Sequence, residues 1–438
     1  MQCPSRIVSF VEVRYTYRLR PGLAAQQYLA REWGMCRKVW NDLVEKSTDE
    51  HMWNQIALAY GAARESLPTF GYADQDKHLT HLRAATVNDD GVRWLAEGSS
   101  VAQQQTVRDF AAARAKALKD RRSKVPIAQR RGLPRFKSRH RDLASLNYTR
   151  RGFSLVKIDN RLRLRLPGKV DIPVVWSRDL PAAPRSARVY QDSLNHWYVS
   201  FVVTVDAEPL PATPGTEPLG VDWGVTVTAV TTSDDHDLAH HEYGRRAEQK
   251  LARYQRMMAR RRAPKGKPQT RGYERAKTRA AKQHKKVARQ RQDMARKWAK
   301  KVVRDHDRIA VEDFNPRFLA RSTMARKAAD ARIAATKAEL GWMATKHDRD
   351  LRLVHPKYTT MDCSNPHCGA RTKHRLLLSE RTYVCEACGL AMPRDKNSAA
   401  VMVARAFGRA TGAARPGLVP ADAEGVSPEP AAAREPAA

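Results

Sequence analysis

Hydrophobic and polar positions change their period several times along the first third of the chain. From residue 7 to 19 apolar or aromatic side chains fall at every second position, which predicts a half-buried strand. Between Tyr28 and Val44 the apolar positions recur every three or four residues, as in an amphipathic helix, and Cys36 falls on its apolar face. Residues 77–120 also have a helical pattern. The chain therefore opens with a strand followed by helices.

A β-rich segment follows, because the helical pattern stops near Pro126 and residues 145–205 are typical of strands. The strands are predicted at Arg161–Leu166, Val170–Val175, Ala187–Tyr190 and His196–Val205. We interpret residues 1–208 as a β-rich module with a helical insertion at about 22–130, between the first strand and the rest. Residues 209–217 are Pro-rich and predict a linker.

The second half has the alternating strands and helices of an α/β domain. An apolar, β-branched strand pair is predicted at Val221–Thr232, a short buried strand at Ile309–Glu312 and another at Leu351–Val354, with a helix-rich stretch before His347. Residues 245–304 contain 24 Lys and Arg against 3 Asp and Glu, which predicts two long basic helices with a break around Pro264–Pro268. Residues 411–438, rich in Ala, Pro and Glu, are expected to be disordered.

The net charge of the 438 residues is +34, which favours a polyanionic partner, above all nucleic acid. A solvated basic surface is the alternative interpretation, both for the whole chain and for the 245–304 helices. The candidate nucleic-acid contacts are Arg135, Phe136 and Lys137 in a basic loop, and Arg260, Arg261, Arg262, Lys285 and Lys286 in the basic helices. Neither a membrane-spanning run nor a signal peptide is evident, so we expect a cytoplasmic, nucleoid-associated protein without a membrane partner.

Three acidic residues stand in unusual surroundings. Asp222 and Glu312 interrupt apolar strands, and Asp395 precedes the apolar helix pattern that begins near Ala399. Each has an ordinary explanation by itself: a turn before Gly224, an ion-paired strand end and a helix cap, respectively. Together they form the set of carboxylates with which a nuclease holds two Mg²⁺ ions for phosphodiester hydrolysis. We therefore predict that the three are catalytic and bind magnesium.

Four cysteines near the end of the chain have the spacing of a zinc ribbon. Cys363 and Cys368 are separated from Cys385 and Cys388 by 16 residues, and four thiolates suit a closed, structural Zn²⁺ site. His367 is an alternative to Cys368 as a ligand, and four metal-free thiols are the other alternative. The order strand-Asp, strand-Glu, cysteine ribbon and Asp is more specific than any of its parts.

These motifs resemble the TnpB family, the RNA-guided nucleases encoded by bacterial insertion sequences and related to type V CRISPR effectors. The resemblance extends over roughly residues 10–408. The matching segments are Tyr17–Pro21, Cys36–Asn41, Gln103–Gln105, Leu133–Lys137, Gly220–Gly224, Val311–Phe314, His355–Thr360 and Asp395–Ala400. The four residues between Cys363 and Cys368 make the first knuckle longer than is usual in the family.

The resemblance implies an α/β multidomain fold. It implies an N-terminal wedge β-barrel with a helical recognition lobe, then an RNase H-like (RuvC) domain at 218–361. A zinc ribbon at 362–392 and the last RuvC segment at 393–410 would follow.

The resemblance also implies a function. The protein would bind a guide RNA, act as a monomer in a ribonucleoprotein and cut double-stranded DNA beside a short adjacent motif. A compact type V CRISPR effector, a non-cleaving RNA-guided regulator and an unguided resolvase or RNase H are the alternatives. The intact carboxylates argue against the regulator, and the large basic N-terminal module argues against the unguided enzymes.

Overall fold

The structure is a computed structural model that describes residues 10–63, 66–206, 208, 210–211, 217–316, 319, 322–372, 376–377 and 379–408. The predicted tail at 411–438 and most of the predicted linker at 209–217 lie outside these residues. The described residues divide into two compact units. The first belongs to Met1–Glu208 and Ala247–Lys286, and the second to Pro209–Arg246 and Val287–Ala438. Each unit is considered by itself below.

The first unit contains a seven-stranded antiparallel sheet in the order β2-β6-β7-β1-β5-β4-β3. Its strands are β1 (Phe10–Leu19), β2 (Ser145–Thr149), β3 (Ser154–Ile158), β4 (Arg161–Leu166), β5 (Val170–Val175), β6 (Ser186–Gln191) and β7 (Trp197–Asp206). The four strands predicted from the pattern are confirmed, with ends that differ by at most a residue. Within the described residues no ladder joins β2 to β3, so the sheet is open there and the closed barrel remains a prediction.

Alternation along β1 explains where the core of this unit lies. Val13, Tyr17 and Leu19 are buried, whereas the charged residues between them face outward. Helix α1 (Leu23–Ala59) packs Leu29 and Cys36 into the same core, as the pattern predicted for Cys36. The helix is longer than its apolar pattern, and no Pro interrupts it between Leu23 and the left-handed Gly61 that follows its end.

Residues 77–120 form more than one helix. The structure has α2 (Tyr72–Ala85), the short α3 (Trp94–Glu97) and α4 (Ser100–Arg122). The chain turns between α2 and α3 at Gly91, whose φ of 76° is a left-handed conformation that glycine adopts without strain. These helices share an apolar cluster with α1 that includes Leu43, Leu95 and Phe110.

The second unit is built on a five-stranded mixed sheet. Its strands are β8 (Leu219–Trp223), β9 (Val227–Thr231), β10 (Leu238–Ala239), β11 (Arg308–Glu312) and β12 (Asp350–Val354). Their order is β10-β9-β8-β11-β12. Strands β8, β9 and β10 form an antiparallel meander, and β11 and β12 extend it in parallel beside β8. The strand pair predicted at Val221–Thr232 and the strands predicted at Ile309–Glu312 and Leu351–Val354 are confirmed, whereas β10 was not predicted.

The described residues also contain five further α-helices: α5 (Tyr243–Arg260), α6 (Arg271–Asp305), α7 (Ala325–Ala331), α8 (Ile333–Lys346) and α9 (Arg394–Phe407). The predicted break between two basic helices lies between α5 and α6. The last turns of α6 bury Trp298, Val302 and Val303 in the apolar core of the second unit. No helix in the described residues is long and apolar enough to cross a bilayer.

Asp330 sets the position at which α5 begins. Its carboxylate accepts hydrogen bonds from the backbone N–H groups of Gly244, at 2.8 Å, and Arg245, at 3.0 Å. It also accepts a bond from Nε of Arg291, on α6, at 3.0 Å. The backbone donors and the guanidinium lower the pKa of Asp330 despite its burial. One carboxylate thus ties the start of α5 to the middle of α6 within the second unit.

Helix α9 approaches the sheet most closely at Gly220. A Cβ atom built on Gly220 would lie 2.0 Å from the carbonyl oxygen of Ala399. Since that neighbour is backbone, a side chain could be accommodated only by moving the helix. Gly220 therefore allows α9 to pack directly on β8, two residues from Asp222.

Replacing this glycine tests the close approach. We expect Gly220→Ala to lower the free energy of unfolding by about 3 kcal/mol or more, because the added methyl group displaces α9. The matched control is Gly341→Ala in α8, where no atom lies within 4 Å of the added Cβ. That control should be neutral or stabilising by up to about 1 kcal/mol. Urea denaturation of both variants measures the difference, and equal midpoints would contradict the expectation.

Candidate functional site

Parallel pairing of β8 with β11 brings two of the three predicted carboxylates together. The register pairs Val311 with Val221, so the next residues along the two strands are Glu312 and Asp222. Oε2 of Glu312 accepts a hydrogen bond of 3.3 Å from the backbone N–H of Trp223, which follows Asp222. Glu312 is only 8% exposed, and Asp222 is half-buried. Two acidic side chains thus share the same end of adjacent parallel strands.

The third carboxylate comes from the first turn of α9. Asp395 is the second residue of that helix, after Pro393 at the N-cap position. Its carboxylate lies 3.3 Å from Nε of Arg394 and 3.9 Å from a guanidinium nitrogen of Arg381. Because α9 packs on β8 and β11, its first turn is held beside the ends of those strands. The structure therefore brings the three predicted residues into one neighbourhood.

The three charges influence one another. Burial raises the pKa of Asp222 well above its usual range, and the charges of Glu312 and Asp395 raise it further, against the opposing effect of Arg394. Burial also raises the pKa of Glu312 to about 7, although the Trp223 N–H and Lys337 act in the other direction. The protein's own basic groups and hydrogen-bond donors therefore neutralise this acidic cluster poorly.

Oxygen ligands in a set of carboxylates are what Mg²⁺ prefers. The Asp222 carboxylate accepts no hydrogen bond from any residue that the structure describes, so its oxygens are available to a cation. The three carboxylates do not meet at one point as tightly as the thiols described below. Their chemistry fits divalent cations, which Asp222, Glu312 and Asp395 would hold.

The four predicted thiols do converge. The sulfur atoms of Cys363, Cys368, Cys385 and Cys388 all lie within 4.8 Å of one another. The Sγ–Sγ distance is 3.7 Å both from Cys363 to Cys388 and from Cys368 to Cys385. With Zn–S bonds of about 2.3 Å, two ligands of a tetrahedral zinc lie about 3.8 Å apart. The arrangement therefore fits zinc, and exposed His367 is not in the group.

Two similar turns present these thiols. In the first, the N–H of Cys363 donates to the carbonyl oxygen of Ala370 at 2.9 Å; in the second, Cys385 donates to Leu390 at the same distance. Gly389 has a φ of 73°, a left-handed conformation that suits glycine after the last cysteine of the knuckle. The longer first knuckle thus closes in the same way as the second.

Burial favours the neutral form of both Cys363 and Cys385. For Cys385, backbone N–H groups of Cys388 and Ala387 outweigh that effect and lower its pKa to about 7. Burial raises the pKa of Cys363 to about 12. A bound dication would favour the thiolate form of every ligand in such a site.

The residues beside Asp395 hold its helix in place, a role that our sequence analysis missed. Nζ of Lys396 donates to the carbonyl oxygen of Thr231 at 2.8 Å and to the Asp237 carboxylate at 3.0 Å. A guanidinium nitrogen of Arg394 donates to the carbonyl oxygen of Leu377 at 3.0 Å. The sequence shows a short polar cluster at the helix start but not which partners its members reach.

The predicted contact loop of the first unit has mixed geometry. Phe136 is 57% exposed and Arg135 is exposed, as a surface contact requires. Lys137 is engaged by the protein itself, because its Nζ lies 3.4 Å from the centroid of the Trp40 ring. Burial accordingly lowers the pKa of Lys137. Within this loop, Arg135 and Phe136 are presented to solvent and Lys137 is not.

The basic helices show a similar division. Arg260, Arg261, Arg262 and Lys286 are exposed. A guanidinium nitrogen of Arg261 donates to the carbonyl oxygen of Gly272 at 3.3 Å, which closes the connection between the helices. Lys285 forms an ion pair with Asp192, and its Nζ lies 4.8 Å from the centroid of the Tyr198 ring. Lys285 thus has a structural contact within the first unit.

A second basic surface of the first unit was not predicted. It is a cleft of about 640 Å³ at the β4–β5 end of the sheet, and we call it the hairpin cleft. Arg20, Lys157, Arg161 and Arg163 line it together with Trp176, and no carboxylate is among its lining residues. Alternation of Arg with Leu along β4 is the signal in the sequence, because it places the arginines on one face of the strand.

Three family models match successive parts of the chain. A "Probable transposase" model of OrfB type from IS605 elements matches residues 200–323, and a Cas12f1-like TNB domain model matches 336–402. A model described as a helix-turn-helix domain matches residues 11–55, where this structure has β1 and the single helix α1. The first two models together contain the three carboxylates and the four cysteines.

Two curated relatives match over most of their own length, and a third matches over a smaller part. A "Putative RNA-guided DNA endonuclease" of Streptomyces pristinaespiralis is 28% identical over 89% of this chain and 88% of the relative. The "Putative RNA-guided DNA endonuclease InsQ" of Escherichia coli K12 is 24% identical over 88% of this chain and 90% of the relative. The mimivirus "TnpB-like protein L79" is 29% identical over 27% of this chain and 23% of its own length.

Among solved structures, a Cas12f1–sgRNA–target DNA complex superposes with a TM-score of 0.48 at 12% identity. The match covers 90% of this chain and 99% of that one. The mixed sheet, its acidic strand ends and the four-cysteine insertion define a RuvC-like domain of the OrfB type. The matching models and the two relatives that align over most of their length support assignment to the TnpB family.

The raised pKa of Glu312 gives a testable pH dependence. Between about pH 4.5 and 7 the folded state holds a proton on Glu312 that the unfolded state releases, so stability falls as the pH rises through this window. Glu312→Gln removes the buried charge. In magnesium-free buffer we expect this variant to match wild type at pH 4.5 and to be more stable by on the order of 3 kcal/mol at pH 8.

Urea denaturation at several pH values measures this difference. A matched control is Asp313→Asn, because Asp313 is exposed and pairs with Lys337 at 2.7 Å. That control should give no stabilisation at pH 8. A Glu312→Gln variant that is less stable than wild type at pH 8 would show that the carboxylate is well neutralised in the protein.

Proposed function

We propose that this protein is an RNA-guided DNA endonuclease of the TnpB type, which cuts double-stranded DNA beside a short adjacent motif. The observation that carries the proposal is the meeting of Asp222 and Glu312 at the ends of paired strands, with Asp395 beside them on α9. Three buried or half-buried carboxylates in one cluster, with raised pKa values for Asp222 and Glu312, are costly unless they serve to bind cations. The names of the full-length relatives support the same reaction.

The carboxylates would hold two Mg²⁺ ions, which supply activation of water and stabilisation of the leaving oxygen. The protein itself fixes the positions of the carboxylates. Strands β8 and β11 fix Asp222 and Glu312, and the N–H of Trp223 orients Glu312. Lys396 and Arg394 anchor the helix that carries Asp395. These residues hold the ligands in position before the DNA arrives, which is the part of catalysis that a rigid sheet provides best.

The four thiols would bind one structural Zn²⁺. Their sulfur distances of 3.7 Å fit a tetrahedral ion, and all four positions are filled by protein. Such a closed site leaves no place for a substrate, so its role would be to fold the ribbon at 362–392.

A guide RNA and a DNA target are the proposed partners. The charge of +34 and the hairpin cleft support binding of a phosphate backbone, with Trp176 offering an aromatic face nearby. Exposed Arg135, Phe136, Arg260, Arg262 and Lys286 are further proposed contacts. The protein would act as a monomer on its RNA, in the cytoplasm at the nucleoid.

Removing one carboxylate should stop cutting without releasing the nucleic acid. We expect Asp222→Asn to slow cleavage of a guide-matched plasmid by on the order of 10³-fold or more, because several kcal/mol of transition-state stabilisation depend on the cations. Guide RNA and target DNA affinities should stay within about twofold. Asp313→Asn, which removes an exposed carboxylate beside Glu312, is the control and should cut at nearly the wild-type rate.

Filter binding and gel analysis of the plasmid give the two measurements. Loss of RNA or DNA binding in Asp222→Asn would mean that the residue supports the fold, which would remove the basis for a metal-ligand role.

Sequencing of RNA that co-purifies with the protein, expressed with its native flanking DNA, tests the proposed function as a whole. We expect a discrete RNA that ends in sequence beyond the boundary of the element. CRISPR-derived repeats in that RNA would instead indicate a type V effector. Random cellular RNA, together with cutting of branched or hybrid substrates, would refute guided cleavage.

The same preparation can test the hairpin cleft. Arg161→Ala combined with Arg163→Ala should reduce the retained RNA or weaken DNA binding, with a smaller salt dependence than wild type. Arg165→Ala on the same strand is the matched control, because Asp171 already engages that guanidinium at 2.7 and 2.8 Å. Equal retention in all three proteins would remove the cleft from the proposed interface.

A further inference from the structure

Asn397 links the helix of Asp395 to the four-thiol ribbon. The residue is fully buried, two positions after Asp395 in α9. Its Oδ1 accepts a hydrogen bond of 3.0 Å from the N–H of Ser364, and its Nδ2 donates one of 2.8 Å to the carbonyl oxygen of Asp362. Ser364 and Asp362 are the two neighbours of Cys363. One amide side chain therefore holds the backbone on both sides of a thiol ligand.

The pairing is directional. An amide that both donates to and accepts from one backbone segment imitates a neighbouring β-strand, and it fixes the segment along its length as well as across it. Both ends of the Asn397 amide are used in this way. A buried amide of this kind leaves two backbone groups unpaired when it is removed, which is a larger loss than that of an exposed hydrogen bond.

A second contact fixes the same segment further along the helix. A guanidinium nitrogen of Arg405 donates to the Asp362 carboxylate at 2.6 Å. Eight residues of helix separate Asn397 from Arg405, which corresponds to about 12 Å of rise. Two contacts at that separation set both the position of α9 along its axis and its rotation relative to the first knuckle.

The opposite side of the first turn is held by the sheet. Lys396 reaches the end of β9 at Thr231 and the nearby Asp237 carboxylate. Asp395 thus precedes two consecutive anchors, one to the sheet and one to the ribbon. Any movement of α9 that follows a change in the ribbon would carry the Asp395 carboxylate with it.

We propose that Asn397 is a positioning residue through which the closed four-thiol site sets the placement of Asp395. The proposal rests on the proposed function for the role of Asp395. It assigns to the ribbon a task beyond its own folding: a ribbon that holds its metal keeps Cys363 and its neighbours in place, and Asn397 transmits that order to the first turns of α9.

Hydrogen–deuterium exchange of the full chain tests the link without any cleavage assay. The amides of Ser398–Met402 report on the first turns of α9, because they form the first hydrogen bonds within the helix. We expect Asn397→Ala to accelerate their exchange by about tenfold or more while the zinc content stays at that of wild type. Ser364→Ala is the control. The hydrogen bond to Asn397 comes from the backbone N–H of residue 364, which this variant retains.

Removal of zinc supplies the second half of the test. Stripping wild type with a chelator should accelerate exchange of the same amides, whereas stripping Asn397→Ala should add little. Such non-additivity is the sign that zinc and Asn397 act on α9 through one path. If Asn397→Ala does not fold, Asn397→Ser carries the same comparison, because it adds no charge and its shorter side chain cannot pair with both backbone groups.

Two results would overturn the proposal: wild-type exchange in Asn397→Ala, or independent and additive effects of zinc removal and substitution. Calorimetric titration with Mn²⁺ separates this failure from a failure of the proposed function. Weaker Mn²⁺ binding in Asn397→Ala than in wild type supports the link to Asp395. An absence of Mn²⁺ binding in wild type would count against the metal-dependent nuclease, while the exchange data would still decide the role of Asn397.

Discussion

The close packing of α9 on strand β8 is the contact on which the rest of the second unit depends. At Gly220 the carbonyl oxygen of Ala399 occupies the space that any side chain would need. The helix can therefore lie directly on the sheet, with its first turn next to the strand ends that carry Asp222 and Glu312. Without that approach the two acidic strand ends would remain, but the third carboxylate would be too far away to join them.

The electrostatics of this neighbourhood are unfavourable in the protein alone. Burial and mutual repulsion raise the pKa of Asp222 and of Glu312. Asp330 in the same unit is different. Its carboxylate accepts hydrogen bonds from backbone N–H groups and from a guanidinium, and these lower its pKa. The contrast distinguishes a group of mutually repelling carboxylates, our proposed cation site, from a carboxylate that serves as a structural cap.

The basic residues of the first unit divide in a comparable way. Lys137 lies on an indole ring and Lys285 pairs with Asp192, so both contribute to internal order. At the hairpin cleft Arg20, Lys157 and Arg161 are exposed, as are the arginines at the end of α5. Arg163 of the cleft is half-buried and lies 3.6 Å from the Asp159 carboxylate. The basic side chains behind the net charge of +34 are therefore of two kinds, internal and exposed. Only the exposed ones are suited to bind a phosphate backbone.

The sequence alone determined the strands, the long helices and the identity of the chemical groups, because period and residue type are local properties. The alternation in β1, the acidic residue that interrupts an apolar strand at Asp222 and the cysteine spacing needed no tertiary information. The family resemblance added the expected domain order. The structure changed some details: residues 77–120 divide into three helices, and α1 extends to Ala59.

Only the tertiary structure decided which groups meet. The parallel register of β8 and β11, the contact of α9 with Gly220 and the bonds from Asn397 to Asp362 and Ser364 join residues from 33 to 179 positions apart. The same holds for the cation of Lys137, whose partner Trp40 lies far back in the chain. A sequence pattern records the preference of each residue for its local conformation. The packing of whole helices and strands determines which partner a buried polar group reaches. It therefore also determines whether a given side chain is a ligand, an anchor or a surface contact.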